Sequence, residues 1–374
     1  MIVDLPSSSA ADVAKNLVRL RNQVGAMAMG RVLTLLVVVD EELADEAVEV
    51  ASEATRQHPA RILVVVSANA RGRGRLDAQI RVGGDAGASE IVVLRLYGEL
   101  TRHGSSVVTP LMLPDSPVVA WWPGQAPSDV AGSPLGRMAH RRITDAAAPT
   151  GAKTGTQLRR RTKHYQPGDT DLTWTRITRW RALLAASLES EPFESVQRAV
   201  VAGEPDCPSC DLLAGWLASS LRCPVERVRT PVGSGVQSVR LERASGPVDL
   251  VRLDDSGGTA TLSMVGSQPR LVALHTPTLP AALTAELRRL DADEVYARSL
   301  CSGLPQVRRG GTASGAARAG DLPAGPAEVD RSGSSRLGSR SLQKAPEPPS
   351  KADSNAVEEA VQEGLEQIEE DASD

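Results

Sequence analysis

The sequence predicts an α/β protein: a three-layer domain around a mostly parallel sheet, then an α+β domain with an antiparallel sheet, then a disordered C-terminal tail. Three observations carry this prediction. Four unbroken apolar runs, 32–39, 62–66, 91–96 and 117–122, crowd the first third of the 374-residue chain. Strands exposed on one face alternate polar and apolar residues, whereas strands buried on both faces read as continuous runs. Beyond residue 195 the pattern changes to short apolar segments parted by Gly, Asp, Ser and Pro, and beyond 307 it gives way to Gly, Ser, Ala and Pro.

The elements follow in order. A first helix over 10–22 carries Val13, Leu17, Val18 and Leu20. After the run 32–39, residues 41–57 place Leu43, Ala47, Val50, Ala51 and Ala54 on one helical face, and Asp40 and Glu41 suit its positive N-terminal end. With the run 62–66 this makes a right-handed β-α-β unit. Residues 75–82 alternate weakly through Leu76, Ala78, Ile80 and Val82 and read as an added edge strand. The loop Gly83-Gly84-Asp85-Ala86-Gly87-Ala88-Ser89 comes next. Its glycines permit positive φ and close approach of an anion or of another backbone. It is no dinucleotide fingerprint, because no G-x-G-x-x-G follows a strand with an acid about twenty residues on. The run 91–96, a helix over 99–111 and the run 117–122 complete a first domain, 1–150. Adjacent Trp121 and Trp122 on a strand must point to opposite faces.

Residues 151–164 read as a basic linker inside a longer cationic stretch. From 137 to 181 there are eleven Lys or Arg against three Asp, a net of +8. That stretch is either solvated surface or a basic face for an anionic ligand or an acidic protein. Asp171 caps a helix over 171–188 whose stripe is Ile177, Trp180, Leu184 and Leu188, with Arg176, Arg179 and Arg181 off the stripe. Candidate partner- or anion-binding residues are Gly83, Gly84, Asp85, Gly87 and Ser89 of the loop, with Trp122, Arg141, Arg142, Arg176, Arg179, Trp180 and Arg181.

The second domain, 165–305, reads as strands at 195–201, 225–229, 236–241, 248–253, 259–265 and 271–275, with helices over 211–222 and 283–300. Cys207-Pro208-Ser209-Cys210 has redox-motif spacing ahead of a helix, whose N-terminus lowers a thiol pKa. Incidental thiols, a thiol switch, or a metal shared with Cys223 or Cys301 all fit those residues. No second C-x-x-C and no histidine at finger spacing accompanies them. Asp254-Asp255 beside Gly257-Gly258 suits a hairpin. The five histidines are scattered, with neither H-E-x-x-H nor G-x-S-x-G, so no catalytic residue is nominated and no cofactor is expected.

Composition narrows the function. Five Trp, three Tyr and one Phe are too few for base-stacking platforms, which speaks against nucleic acid. No apolar run reaches the roughly 18 residues of a membrane span, and no signal peptide is visible. Four cysteines are no disulfide framework, and a cytoplasmic protein is expected. The net charge of −4 divides into +1 for residues 1–307 and −5 for 308–374. The tail, 306–374, is expected to be disordered. An acidic helix over 356–370 has Val357, Val361, Leu365 and Ile368 on one face.

Four stretches carry a family resemblance. They are Arg81-Val-Gly-Gly-Asp-Ala-Gly-Ala-Ser-Glu90 with Ile91–Gly98 after it, Leu113-Pro-Asp-Ser-Pro117 leading to Trp121-Trp122-Pro123, Arg141-Arg-Ile-Thr-Asp145, and Tyr165 through Arg181. Over about 1–305 the chain resembles the actinobacterial OpcA family of glucose-6-phosphate dehydrogenase assembly proteins. The resemblance implies a non-enzymatic assembly factor or allosteric activator that binds the active oligomer of that enzyme, in the oxidative pentose phosphate pathway. Some members are described as redox-linked, but Cys207 and Cys210 lie outside the matched motifs and inherit nothing. A sugar-phosphate or nucleotide sensor, holding a small anion with the same loop and arginines, is the alternative.

Overall fold

The computed structural model describes residues 1–24, 32–83, 89–148, 154–231, 235–252 and 258–312. Among these, eight strands form the first sheet. They are β1 (Ile2–Ser8), β2 (Leu33–Asp40), β3 (Ala60–Asn69), β4 (Arg75–Arg81), β5 (Glu90–Tyr97), β6 (Val118–Trp122), β7 (Arg141–Thr144) and β8 (Asp169–Asp171), in the order β1-β4-β5-β3-β2-β6-β7-β8. From β5 to β8 the neighbours run parallel, and β4 and β1 add an antiparallel margin. Register sets Leu35 between Ile62 and Val119, so the apolar runs lie side by side as ladders.

Both faces of this sheet are covered. Helix α1 spans Ala10–Val24, α2 Ala44–Ala54 and the short α3 Gly104–Val108. Ala47 and Ala51 of α2 bury against Leu35, Val37, Ile62 and Val64 on one face. Val13 and Leu17 of α1, with Val107 and Val108 of α3, bury against Leu36, Leu63, Val92 and Leu94 on the other. The pleat sends Trp121 into the first of these cores and Trp122 into the second, and both are buried.

The next helices are α4 (Thr154–His164), α5 (Leu172–Arg176), α6 (Thr178–Leu188) and α7 (Pro208–Leu221). The second sheet has seven described strands: β9 (Arg198–Gly203), β10 (Val225–Arg229), β11 (Val236–Glu242), β12 (Val248–Arg252), β13 (Thr259–Met264), β14 (Arg270–Ala273) and β15 (Arg308–Thr312). Their order is β14-β13-β12-β11-β9-β10-β15. Strands β11 to β14 form the antiparallel meander, and its first strand, β11, pairs antiparallel with β9. The pairs β9–β10 and β10–β15 are parallel. The crossover through α7 dictates the first of these, since a helix between strands returns the chain in its original direction. One face packs on Trp174, Ile177, Trp180 and Leu184 of α5 and α6, and on Leu212, Leu213 and Leu217 of α7. Two further helices, α8 (Leu279–Leu287) and α9 (Glu294–Arg298), follow β14.

Several elements differ from their sequence-based expectation. Residues 75–82 are the second strand from the margin, because the N-terminal Ile2–Ser8 adds outside them. The expected helix over 99–111 divides into 3₁₀ turns, Gly98–Arg102 and Thr109–Leu111, on either side of α3. Pro110 there has no N–H to continue an α-helix. The basic linker 151–164 becomes α4 over most of its length, with Leu158 fully buried. The chain after 165 first returns to the opening sheet as β8. The expected helix 283–300 is two helices, α9 starting afresh where the Asp293 side chain accepts from the Tyr296 N–H. The expected tail from 306 begins with β15, paired to β10. The rest of the tail, including the expected acidic helix, lies outside the described residues, as does Asp254-Asp255. Both sheets fall in one compact unit, Met1–Gly325.

Candidate functional site

The cationic stretch is folded largely into internal ion pairs. Arg141 on β7 is buried and donates to the Glu286 carboxylate and, at 2.6 Å, to the Asp291 carbonyl. Arg142 beside it is buried against the Asp169 carboxylate and the Ala139 and Pro167 carbonyls. Arg176 closes a bidentate pair on Asp145 at 2.6 and 2.7 Å. Arg181 lies over the Trp174 ring, 3.6 Å from its centroid, and burial pushes its guanidinium down to about 10, still charged at neutral pH. Trp180 is core. Of the arginines nominated from sequence, Arg179 alone is exposed. The exposed cations of the segment stand instead on α4, where Arg159, Arg160 and Lys163 face outward while Gln157, Leu158 and Arg161 face in.

A network missing from the sequence reading ties this region together. Asp171, fully buried, caps α5 by accepting from the Thr173 N–H at 3.0 Å, as predicted. Its carboxylate also accepts from Ala146 N–H, from the Thr144 hydroxyl at 2.7 Å and from Arg161. The only sequence signal was charge sign, because the partners lie ten to twenty-seven residues away.

The glycine loop joins β4 to β5. Gly83 adopts a positive φ of 75°, while Gly84, Asp85 and Gly87 lie outside the described residues. Ser89 is buried and turned inward, accepting from the Ala60 N–H and donating to the Thr55 hydroxyl.

The cysteine pair sits at the N-terminus of α7, between parallel β9 and β10. Cys207 is the cap, its sulfur accepting from the Cys210 N–H at 3.2 Å and from the Cys210 thiol. That thiol hydrogen bond holds the Cys207 pKa below the usual value, while burial pushes Cys210 well above it. Both are buried and free. Among the described residues no group of three His, Cys, Asp or Glu could hold a metal.

A crevice of about 610 Å³ opens at the carboxyl ends of β2, β3 and β6. Val39, Val65 and Trp122 form its buried floor. Asp40, Ser67, Arg102, Ser105 and Gln125 stand around it. Of these residues the sequence reading nominated Trp122 for a site. The available signal for Asp40 was its place at the end of an apolar run.

Comparison with known proteins places the chain. No curated protein sequence matches it. Solved structures that align include a point mutant of a 3-ketoreductase from Actinomadura kijaniata with TDP-benzene and NADP, at 9% identity and a TM-score of 0.40, covering 74% of this chain and 99% of that one. A biliverdin reductase from Synechocystis with biliverdin and NADP+ aligns at 10% identity and a TM-score of 0.33, covering 72% and 98%. Likeness at this level carries no inference about a cofactor. Two family profiles match in succession: residues 51–163 match the glucose-6-phosphate dehydrogenase subunit N-terminal domain, and 167–300 match the C-terminal domain of the same subunit. The two matches cover most of the described fold, from α2 to α9, and on that ground the chain belongs to the OpcA family of glucose-6-phosphate dehydrogenase assembly proteins.

Proposed function

We propose that the protein binds glucose-6-phosphate dehydrogenase and favours its active oligomer, without itself catalysing a reaction. The observation that carries this reading is the occurrence of both family domains in order along one chain. Physically, an assembly factor acts only through a difference in affinity for two states of its partner. Moving an equilibrium from 1:99 to 99:1 takes about 5.5 kcal/mol of that difference. Buried arginines cannot supply it, because their charge is spent on Glu286, Asp169 and Asp145. The exposed cations Arg159, Arg160 and Lys163 of α4, with Arg179, remain available for an acidic face of the enzyme.

Co-purification tests the role. With the chain present, the dehydrogenase should elute as a larger species and show higher specific activity. No complex and no kinetic effect would refute the proposal. Charge reversal at Arg159, Arg160 and Lys163 should weaken association about ten-fold or more and reduce its salt dependence. Association unaltered by that reversal would move the contact to another face.

A further inference from the structure

The crevice at the carboxyl ends of β2, β3 and β6 owes its existence to topology. The chain leaves β2 through α2, which packs on one face of the sheet, and reaches β6 from β5 through the α3 segment, which packs on the other. Strand β2 lies between β3 and β6, so the connections part on either side of it. In open α/β sheets ligands settle where neighbouring connections diverge in this way.

The lining selects the chemistry. Asp40, Ser67, Arg102 and Gln125 are exposed at the crevice rim and Ser105 is half-buried, and their side chains make no hydrogen bond or ion pair within the described residues, so they are free to meet a ligand. Dinucleotide folds place glycines in the turn after the first strand, where the helix N-terminus receives a pyrophosphate. Here that turn reads Asp40-Glu41-Glu42; Glu41 is paired with Arg95 at 2.8 Å, and the remaining acids Asp40 and Glu42 repel two adjacent phosphates. Arg102, on the connection out of β5, is the one cation among the described lining residues. One anionic group can therefore be matched, and an acid and an amide remain for hydroxyl groups. The floor of Val39, Val65 and Trp122 offers an apolar surface for the C–H face of a ring.

We propose that this crevice binds a phosphorylated monosaccharide, its phosphate on Arg102 and its hydroxyls on Asp40 and Gln125. The volume of about 610 Å³ lies within the range of small-molecule sites. The site shares no residue with the cations assigned above to the dehydrogenase contact, so the two readings stand or fall separately.

Isothermal titration of the full chain alone, with no dehydrogenase present, tests the assignment. Glucose 6-phosphate and fructose 6-phosphate serve as probes, with glucose, inorganic phosphate and NADP as comparators. The expected result is one-to-one binding of a hexose phosphate, with glucose and phosphate each weaker by about ten-fold or more. Arg102→Glu should lose binding by about ten-fold or more and Asp40→Asn should weaken it several-fold, both with unchanged thermal midpoints, since neither side chain has an internal partner. The proposal is overturned if no hexose phosphate binds, if Arg102→Glu binds as the parent does, or if NADP alone binds.

Discussion

At the scale of single residues, Asp211 shows burial and charge in competition. It lies in the first turn of α7, almost fully buried, 3.6 Å from Arg227 and 3.4 Å from Arg309, with Asp206 nearby in charge terms. Burial outweighs Arg227, and the carboxyl is pushed up from 3.8 to about 6. The folded state thus holds this proton more tightly than the unfolded chain does between those values. Stability from this group is full below about pH 4 and is lost as pH rises to about 6, a change of ~3 kcal/mol. Asp211→Asn removes that dependence. In urea titrations the parent should lose about 2 kcal/mol relative to the variant between pH 4 and pH 7. Parallel profiles for the two proteins would show that Arg227 neutralises the site after all.

At the scale of elements, α7 is held by close contact. Gly215 faces the π-helical turn Ser299–Gly303, and a Cβ there would stand 2.5 Å from the Ser299 carbonyl and 3.0 Å from the Leu304 nitrogen. Gly303 returns the approach, since its own Cβ would stand far inside contact distance of the Gly215 carbonyl. Gly215→Ala gains up to about 1 kcal/mol of helix propensity. The displaced backbone costs about 1–3 kcal/mol, so the overlap wins. A fall of several degrees in melting temperature is expected, whereas a rise would mean that the Ser299–Gly303 turn yields easily. A glycine in an apolar helix signals such contact only weakly in sequence.

At the scale of the molecule, the chain closes on itself through α8. Ala282, Leu283 and Leu287 of this late helix join the core beneath α2. Glu286 accepts from Arg141 on β7 and from the Thr175 hydroxyl of α5, and the Thr284 hydroxyl donates to the Ala54 carbonyl. Trp174 adds a bond from its indole nitrogen to Asp293 at 2.8 Å. Glu286→Ala leaves Arg141 buried without its carboxylate, which costs about 3–5 kcal/mol. The variant should unfold at lower urea in one transition common to tryptophan fluorescence and circular dichroism. Two separate transitions would mean that the sheets are independent.

By itself the sequence determined β2 to β6 and β9 to β14 but not β1, β7, β8 or β15, together with the α2 and α7 helices, the Asp171 cap and the opposite burial of Trp121 and Trp122. Each is a local matter of period, pleat or capping, decided within a few residues. The resemblance carried by Arg81–Gly98 and Tyr165–Arg181 was legible for the same reason, as continuous text. Tertiary structure alone decided what the arginines do. Arg141 meets Glu286 across 145 residues and Arg176 meets Asp145 across 31, distances over which sequence shows sign but no pairing. The crevice was equally hidden, because it is made where connections part on opposite faces of a sheet, and that depends on strand order. Charge in a sequence counts what is available; only the fold determines which charges are paired internally and which face solvent.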